Sequence, residues 1–283
     1  MSITLVTGAS RGVGEALTWK LAGEGRTVAA LARSEGALEA LAEKAGAQRL
    51  PGSIIPCPVD LRDPGSIRRC VDSLEKRGPI ETLVNNAAVV ENVPFAEQSI
   101  EQIEAIVDSN LKGTLYCTHA VLQHMVPRKA GKIINVSSVA GVRGISGQAS
   151  YCASKHGMVG FADALTQELI PHNIQVATIC PGAIDTPLWD PKTNPYPGDI
   201  SKAIQPGEIV NLISYILSQP DHSIFKRIVV FPSNERHKDG PRKLPANPSL
   251  QVVCRSLTGA FPERLLSAFA FSFPALLRLP QMQ

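Results

Sequence analysis

Short runs of β-branched and other apolar residues alternate with longer segments of helical periodicity along residues 1–232. Strands that alternate with helices of crossover length predict parallel βαβ units. Leu83 with Val84 and Ile133 with Ile134 are consecutive apolar pairs, as expected for parallel strands that are buried on both faces. The pattern predicts one α/β domain built on a doubly wound parallel sheet, with seven strands at residues 3–7, 27–32, 54–59, 80–85, 132–137, 174–180 and 227–231.

Start signals mark several of the predicted helices. Asp63 precedes Pro64, which places an N-cap residue before a first-turn proline. Ser99 and Gln102 have the spacing of a capping box. One segment breaks the alternation: residues 181–207 contain six prolines, too many for a long helix, and we predict that they form a lid.

The composition is that of a folded, water-soluble protein. Apolar residues make up 44% and charged residues 19% of the 283, which excludes wholesale disorder, and no run reaches the roughly 20 apolar residues of a membrane span. The net charge of +3 comes from residues 233–283, where seven Lys or Arg outnumber three acids. A near-neutral body lacks the basic face of a nucleic-acid-binding protein, so no nucleic-acid partner is expected.

The six cysteines are scattered, with no CxxC pair. This pattern predicts reduced thiols and indicates neither a disulfide framework nor a metal site. The N-terminus enters the first predicted strand without the basic and apolar regions of a secretory leader. A cytoplasmic location is therefore expected.

The strongest local motif lies between the first predicted strand and the helical run at 15–22. Residues 7–14 read TGASRGVG. Glycines permit a tight turn and bring backbone N–H groups and a helix N-terminus close to a pyrophosphate. An ordinary glycine-rich turn is the alternative in a chain with 22 glycines. The strand before the motif and the helix after it favour a dinucleotide site.

A second motif, YCASK at 151–155, begins a predicted helix. The spacing of four residues places Tyr151 and Lys155 on one face of that helix. Taken alone, the pair is weak evidence, because a chance match that forms an exposed surface pair is the alternative.

Each motif is weak evidence alone, but several motifs in one characteristic order are stronger evidence. The chain resembles the short-chain dehydrogenase/reductase (SDR) family, in its Tyr-Lys branch, over residues 3 to about 232. Ala88 stands where that family usually has glycine, and we expect it to tighten the wall near the adenine ribose without abolishing activity. The resemblance implies a Rossmann-type sheet and rests on TGASRGVG at 7–14, Asp60, NNAA at 85–88, Asn110, NVSS at 135–138, YCASK at 151–155 and PGAIDT at 181–186.

The resemblance implies the catalytic set Asn110, Ser138, Tyr151 and Lys155. A ketone that accepts hydride becomes an alkoxide, and Tyr151 would donate the proton that it needs. Lys155 and the oxidised nicotinamide would together lower the pKa of that phenol towards neutrality, and Ser138 would polarise the carbonyl. Asn110 would hold a water that links Lys155 to solvent. A strand end with solvated hydroxyls is the alternative for both Ser137 and Ser138. We prefer Ser138 as the catalytic serine because it lies 13 residues before Tyr151, as in the family.

Cofactor choice is read at the end of the second predicted strand, where an acid favours NAD and a base favours NADP. Arg33 and Ser34 stand there, and Arg11 resembles a second basic residue of NADP-using relatives. NADP(H) is therefore the expected cofactor, although two solvated arginines with Glu35 at the ribose are the alternative.

The remaining cofactor contacts follow from the resemblance alone. Asp60 is expected at the adenine amino group, and residues after Pro181 at the nicotinamide carboxamide. The full expected set is Gly8, Ser10, Arg11, Gly12, Val13, Gly14, Arg33, Ser34, Asp60, Leu61, Asn86, Ala87, Ala88, Tyr151, Lys155, Pro181, Gly182, Ile184 and Thr186.

The sequence indicates the substrate less clearly than the cofactor. Apolar walls would be formed by Val142, Ile145, Leu188 and Trp189. We expect Arg143 to be a solvated loop residue, and recognition of an acidic or phosphorylated substrate is the alternative. The motifs predict an NADPH-dependent enzyme that transfers hydride between nicotinamide and a carbonyl or alcohol. They do not separate a 3-oxoacyl thioester reductase from a reductase of lipid or xenobiotic ketones. A sensor or scaffold protein that binds NADPH without turnover is the alternative outside the enzyme class.

Assembly and the C-terminal region complete the expectations. Long helices that begin near Ser99 and Tyr151 form two-fold interfaces in the family, which implies a homodimer or homotetramer. Residues 1–232 would form the catalytic domain, 233–248 a flexible linker, and 249–283 an apolar extension of unknown role. Peripheral packing or disorder of that extension is favoured over membrane contact, because Phe269, Phe271 and Phe273 alternate with a period of two.

Overall fold

The computed structural model describes residues 2–196, 198–220 and 223–232. All seven predicted strands are present and pair in parallel, in the order β3-β2-β1-β4-β5-β6-β7. This confirms the predicted doubly wound α/β sheet. The strands are β1 (Ile3–Thr7), β2 (Thr27–Ala32), β3 (Ser53–Pro58), β4 (Ile80–Asn85), β5 (Gly131–Val136), β6 (Ile174–Pro181) and β7 (Arg227–Val230).

Seven α-helices connect the described strands on the two faces of the sheet. They are α1 (Gly12–Gly23), α2 (Glu35–Ala47), α3 (Pro64–Glu75), α4 (Ile100–Val107), α5 (Gly113–Arg128), α6 (Ala149–Leu169) and α7 (Pro206–Ser218). Apolar residues of α1, α2 and α7 form one core against the sheet, and those of α3, α5 and α6 form the other. Central strands such as β1 and β2 are therefore buried along their whole length.

The predicted start signals act as expected. The Asp63 carboxylate accepts hydrogen bonds from Gly65 N at 2.8 Å and Ser66 N at 3.2 Å, and Pro64 occupies the first turn of α3. Both halves of the Ser99–Gln102 capping box are formed. Where strand ends differ from the predictions, they differ by one residue, as is usual at the ends of regular elements. The strand β3, for example, ends at Pro58 and not at Val59.

The proline-rich segment forms no long helix. Before α7, the described residues of this segment form one short 3-10 helix, Ile200–Lys202, and one isolated β-bridge between Ile184 and Ile204. No helix within the described residues is long and apolar enough to cross a membrane. The predicted linker 233–248 and extension 249–283 lie outside the described residues.

Candidate functional site

The sheet reverses its winding direction between β1 and β4, which are neighbours in space. In open parallel sheets, a crevice for ligands opens at the carboxyl ends of such a strand pair. The loops after the two strands are fastened together here. The hydroxyl of Thr7 accepts hydrogen bonds from the N–H groups of Asn86 at 3.0 Å and Ala87 at 3.1 Å, and Asn86 Nδ2 donates to Thr7 O at 2.9 Å.

The glycines of the first loop allow this close approach. Gly8 has a φ of +68°, and a Cβ on it would lie 2.7 Å from Ala87 Cα. A Cβ on Gly14 would lie 2.2 Å from Gly8 O, closer than any side chain tolerates. Gly12, with a φ of +60°, faces Thr186 across the crevice, where a Cβ would lie 3.3 Å from the Thr186 Cβ. The glycines of this loop therefore lie where a side chain would prevent the close approach of neighbouring backbone segments.

The helix that follows begins in this crevice. Arg11 is the N-cap of α1, is exposed, and makes no capping hydrogen bond with its side chain. The first N–H groups of a helix lack partners within the helix and carry a partial positive charge. The predicted neighbours Ser10 and Val13 flank this N-terminus, Ser10 half-buried and Val13 buried. The arrangement fits a pyrophosphate, so these residues can hold a dinucleotide.

The ends of β2 and β3 carry the predicted adenosine residues. Arg33 and Ser34 are exposed after β2, as a role at a ribose phosphate requires. Asp60 and Leu61 are half-buried after β3. Arg62, which the sequence analysis missed, grips Asp60: its Nε lies 3.1 and 3.0 Å from the two carboxylate oxygens, and its terminal nitrogen lies 2.6 Å from Oδ2.

This ion pair keeps Asp60, the residue predicted at the adenine, in its charged form. The hydrogen bond from Arg62 is the main cause that holds the pKa of Asp60 below its ordinary value, and the charge of Arg33 acts in the same direction. The signal in the sequence was the two-residue spacing, which allows a fork-shaped guanidinium to reach a carboxylate on the same turn. Both oxygens of Asp60 are thus engaged by Arg62.

The predicted Tyr-Lys pair lies on α6 beside the end of β5. Lys155 is 1% exposed, and its ammonium donates to Val136 O at 3.0 Å. That ammonium lies 5.8 Å from the centroid of the Tyr151 ring. Tyr151 itself is 7% exposed, and its hydroxyl is hydrogen-bonded to Ser138. The helix therefore brings a phenol, a hydroxyl and a buried cation to one point.

Burial dominates the protonation of this group. It raises the pKa of Tyr151 to about 12, with the hydrogen bond from Ser138 acting in the opposite direction. It lowers the pKa of Lys155 to about 8. The fall of the phenol's pKa towards neutrality depends on the charge of the nicotinamide as well as that of Lys155, and it stays a prediction. At neutral pH the phenol is protonated, and Lys155 carries its charge.

The two adjacent serines have different surroundings. Ser137 is buried and donates to Lys155 O at 3.2 Å, so its hydroxyl stabilises the helix backbone. The Ser138 hydroxyl accepts from Ala140 N at 3.1 Å and lies at Tyr151. Of the pair, Ser138 is therefore the one that the structure places beside the phenol.

Asn110 lies in a π-turn, Asp108–Lys112, that joins α4 to α5. Its side chain accepts from Val89 N at 2.7 Å and donates to Val89 O at 2.8 Å and to Ser154 at 3.1 Å. These contacts tie the loop after β4 to α6, and none of them goes to Lys155. The water relay stays a prediction, and the contacts give Asn110 a positioning role as well. Such π-turns occur often at functional sites.

The segment after β6 closes the crevice from the other side. We call residues 182–196 the lid segment. Pro181, the last residue of β6, and Gly182, the first of the lid segment, are buried, and Ile184 and Thr186 are half-buried further along it. Trp189 lies against the ring of Tyr196 at 5.2 Å between centroids. Tyr151 belongs to a separate apolar cluster whose members include Val90, Ile145, Leu188 and Trp189.

Other side chains near the crevice differ from expectation or stay outside it. The expectation of a solvated Arg143 is wrong: Arg143 is half-buried, and its guanidinium lies 5.1 Å from the centroid of Phe231. The ring of His124 contacts the Asp72 carboxylate, and the ring of His156 contacts Cys152 O, one turn back on α6. The described residues include no cluster of three His, Cys, Asp or Glu suited to a metal ion.

Comparisons with known proteins agree on one family. A family model described as short chain dehydrogenase matches residues 2–196. The chain is 37% identical over 189 residues to the 3-oxoacyl-acyl-carrier-protein reductase FabG of Thermotoga maritima, which covers 66% of this chain and 76% of that protein. It is 37% identical over 191 residues to the acetoacetyl-CoA reductase of Shinella zoogloeoides, covering 66% and 75%.

A solved structure gives the same result in three dimensions. A variant of actinorhodin polyketide ketoreductase crystallised with NADPH is 29% identical to this chain, with a TM-score of 0.72. The match covers 82% of this chain and 96% of that one. The similarity therefore extends over the whole doubly wound sheet.

Two glycines of α1 offer a matched test of the crevice. Gly23→Ala is expected to raise the free energy of unfolding by about 0.5–1 kcal/mol, because helical Gly is less favourable than Ala and nothing lies within 4 Å of the new Cβ. Gly14→Ala is expected to lower it by about 1–3 kcal/mol, because its Cβ would overlap Gly8 O. Urea denaturation measures both. Equal stability of the two variants would contradict the close packing of the loop.

A pH titration tests the burial of Lys155. Its folded pKa of about 8 lies below the ordinary 10.5, so the unfolded chain binds more protons between these values and the stability of the wild type rises with pH there. Lys155→Met lacks this rise, so its stability relative to wild type should fall from pH 8 to about pH 10. Urea denaturation across this range measures it, with the exposed Lys76→Met as control. A constant difference would show that burial does not lower the pKa of Lys155.

Proposed function

The chain belongs to the short-chain dehydrogenase family, and from this membership we propose that it is an NADPH-dependent reductase of ketones. One observation carries the proposal. Ser138, Tyr151 and Lys155 meet at the carboxyl end of β5, beside a glycine-lined crevice that fits a dinucleotide. The curated relatives named above are reductases of 3-oxoacyl and acetoacetyl thioesters, which supports a carbonyl group as the reacting centre.

The residues divide the work of reduction as follows. When bound, NADPH would supply the hydride. Ser138 would donate a hydrogen bond to the substrate oxygen and polarise the carbonyl. Tyr151 would transfer its phenolic proton to the alkoxide, which is a much stronger base than a phenolate. Lys155, charged at neutral pH, would stabilise the tyrosinate that this transfer leaves.

The protonation state of Tyr151 favours this direction. Its pKa of about 12 keeps the phenol in the acid form at neutral pH, which is the form that reduction consumes. Oxidation of an alcohol needs the tyrosinate instead, and a phenol with this pKa forms it only at strongly alkaline pH. We therefore propose reduction as the direction at neutral pH.

The preference for NADPH rests on charge. Arg11 and Arg33 are exposed at the ends of the glycine loop and of β2, and no acid stands at the end of β2. A guanidinium pairs well with a 2'-phosphate, whereas an acid accepts from the ribose hydroxyls. The actinorhodin ketoreductase, similar along almost its whole length, was crystallised with NADPH.

We also propose a cytoplasmic homodimer or homotetramer. The five cysteines among the described residues are free thiols, which suits a reducing compartment. Several large apolar side chains are exposed at the β7 edge of the sheet, where a second copy would cover them. They are Tyr215, Ile224 and Val229, between 43% and 56% exposed.

The function is tested by replacing the proton donor. Tyr151→Phe is expected to lower turnover by about two to four orders of magnitude while NADPH still binds, because a positioned proton donor is lost. NADPH oxidation is followed with diketones and 3-oxoacyl thioesters, and binding by NADPH fluorescence. Near wild-type turnover would exclude Tyr151 as the acid. Tight NADPH binding by the wild type without turnover of any ketone would favour a sensor instead.

Cofactor choice is tested separately. Arg33→Asp is expected to shift the preference from NADPH towards NADH, because it replaces a phosphate partner by a ribose acceptor. The measurement is kcat/KM for both cofactors at one ketone concentration. Lys76→Met, which removes an exposed cation at the end of α3, is the control and should leave the ratio unchanged. Equal use of both cofactors by the unmodified protein would refute the phosphate role of Arg33.

A further inference from the structure

Three side-chain amides join the segments that surround Tyr151. Asn92 lies in the loop after β4, Gln148 directly precedes α6, and Asn194 lies in the lid segment. Gln148 Nε2 donates to Asn92 Oδ1 at 2.5 Å, and Asn92 Nδ2 donates to Asn194 Oδ1 at 3.2 Å. We call this chain of amides the amide clasp. It joins parts of the sequence that are up to 102 residues apart.

Asn194 uses its whole side-chain amide in the clasp. Its oxygen also accepts from Asn92 N at 3.3 Å, and its Nδ2 donates to Val90 O and Leu188 O, both at 3.1 Å. An amide oxygen accepts two hydrogen bonds and an amide nitrogen donates two, so Asn194 is fully satisfied. Asn92 adds a bond to Pro195 O at 3.2 Å. The lid segment is thus fastened to the loop after β4 from both directions.

The clasp also reaches the helix of the catalytic phenol. Gln148 is 5% exposed, and its carbonyl accepts from Cys152 N at 2.7 Å, one residue after Tyr151. A backbone bond from Val93 N to Gly147 O at 2.9 Å reinforces the same junction. Gln148 therefore couples the first turn of α6 to Asn92.

The fastened segments enclose the apolar side of the site. Val90, Ile145, Leu188 and Trp189 come from the three joined segments and pack with Tyr151. An apolar wall alone has no directional preference, whereas amide hydrogen bonds set the distance between its parts. The clasp therefore determines how far apart the pocket walls stand.

We propose that Asn92, Gln148 and Asn194 are positioning residues that hold the lid segment closed over the substrate pocket and thereby set the KM for the ketone. This inference rests on the proposed reductase function. A lid that is already ordered spares the substrate the entropy cost of closing it, so affinity is gained without a direct contact. Because all three groups are amides, the hold does not change with pH across the neutral range.

The test uses Asn92→Ala, Asn194→Ala and the double variant, with Asn211→Ala on the exposed face of α7 as control. Each single variant is expected to raise the KM for a ketone about tenfold, as the loss of one or two net hydrogen bonds predicts, with kcat within about threefold of wild type. The double variant should raise KM by less than the product of the two single effects, because both single variants lose the same Asn92–Asn194 hydrogen bonds. Asn211→Ala should match the wild type.

A second readout does not depend on activity. Lys192 is exposed in the lid segment and offers a trypsin site. Cleavage after Lys192 is expected to be about tenfold faster in the clasp variants at unchanged thermal stability, because the segment opens locally. If one variant does not fold, the other carries both measurements.

The outcomes separate the two proposals. A wild type that reduces no ketone refutes the proposed function, while the proteolysis still tests whether the clasp holds the lid segment. Unchanged KM and unchanged cleavage in folded Asn92→Ala or Asn194→Ala protein overturn the clasp and leave the reductase intact. Strictly additive KM effects in the double variant would also overturn it, because they would show that the residues act independently.

Discussion

The close approach of two loops at the reversal of the sheet is the constraint on which the site depends. Because β1 and β4 are neighbours, their following loops leave the sheet side by side, and a cradle forms only if their backbones touch. Thr7 and Asn86 supply the hydrogen bonds, and Gly8 and Gly14 supply the space. The N-terminus of α1 is positioned by the same contact. A side chain at Gly8 or Gly14 would push the two loops apart.

Burial of a charged group is the second constraint, and it works through the catalytic helix. Lys155 is among the most buried side chains of the described protein, yet it meets only one carbonyl, that of Val136. A cation in such a site keeps its electrostatic reach, because little water screens it. The same burial keeps the neighbouring phenol protonated. The burial of one face of α6 thus determines the protonation state of both Tyr151 and Lys155.

The fold and the centre of the site were predictable because they depend on local patterns. Runs of apolar residues marked all seven strands, and the four-residue spacing brought Tyr151 and Lys155 together as helix geometry requires. Contacts between distant segments left no such pattern. The grip of Arg62 on Asp60, the amide clasp and the stacking of Arg143 on Phe231 depend on side-chain directions in loops, which periodicity does not encode.

The π-turn at Asp108–Lys112 has a consequence for insertions and deletions along this chain. A π-turn holds one residue more than the α-helix that it interrupts, so each residue after it is rotated by about 100° from the continuous helix. This offset lets Ile106 on α4 pack beside Tyr151 while Cys117 and Val121 on α5 face the sheet. Losing a single residue there would turn one of these faces to solvent. The number of residues between α4 and α5 is therefore as constrained as the identity of their side chains.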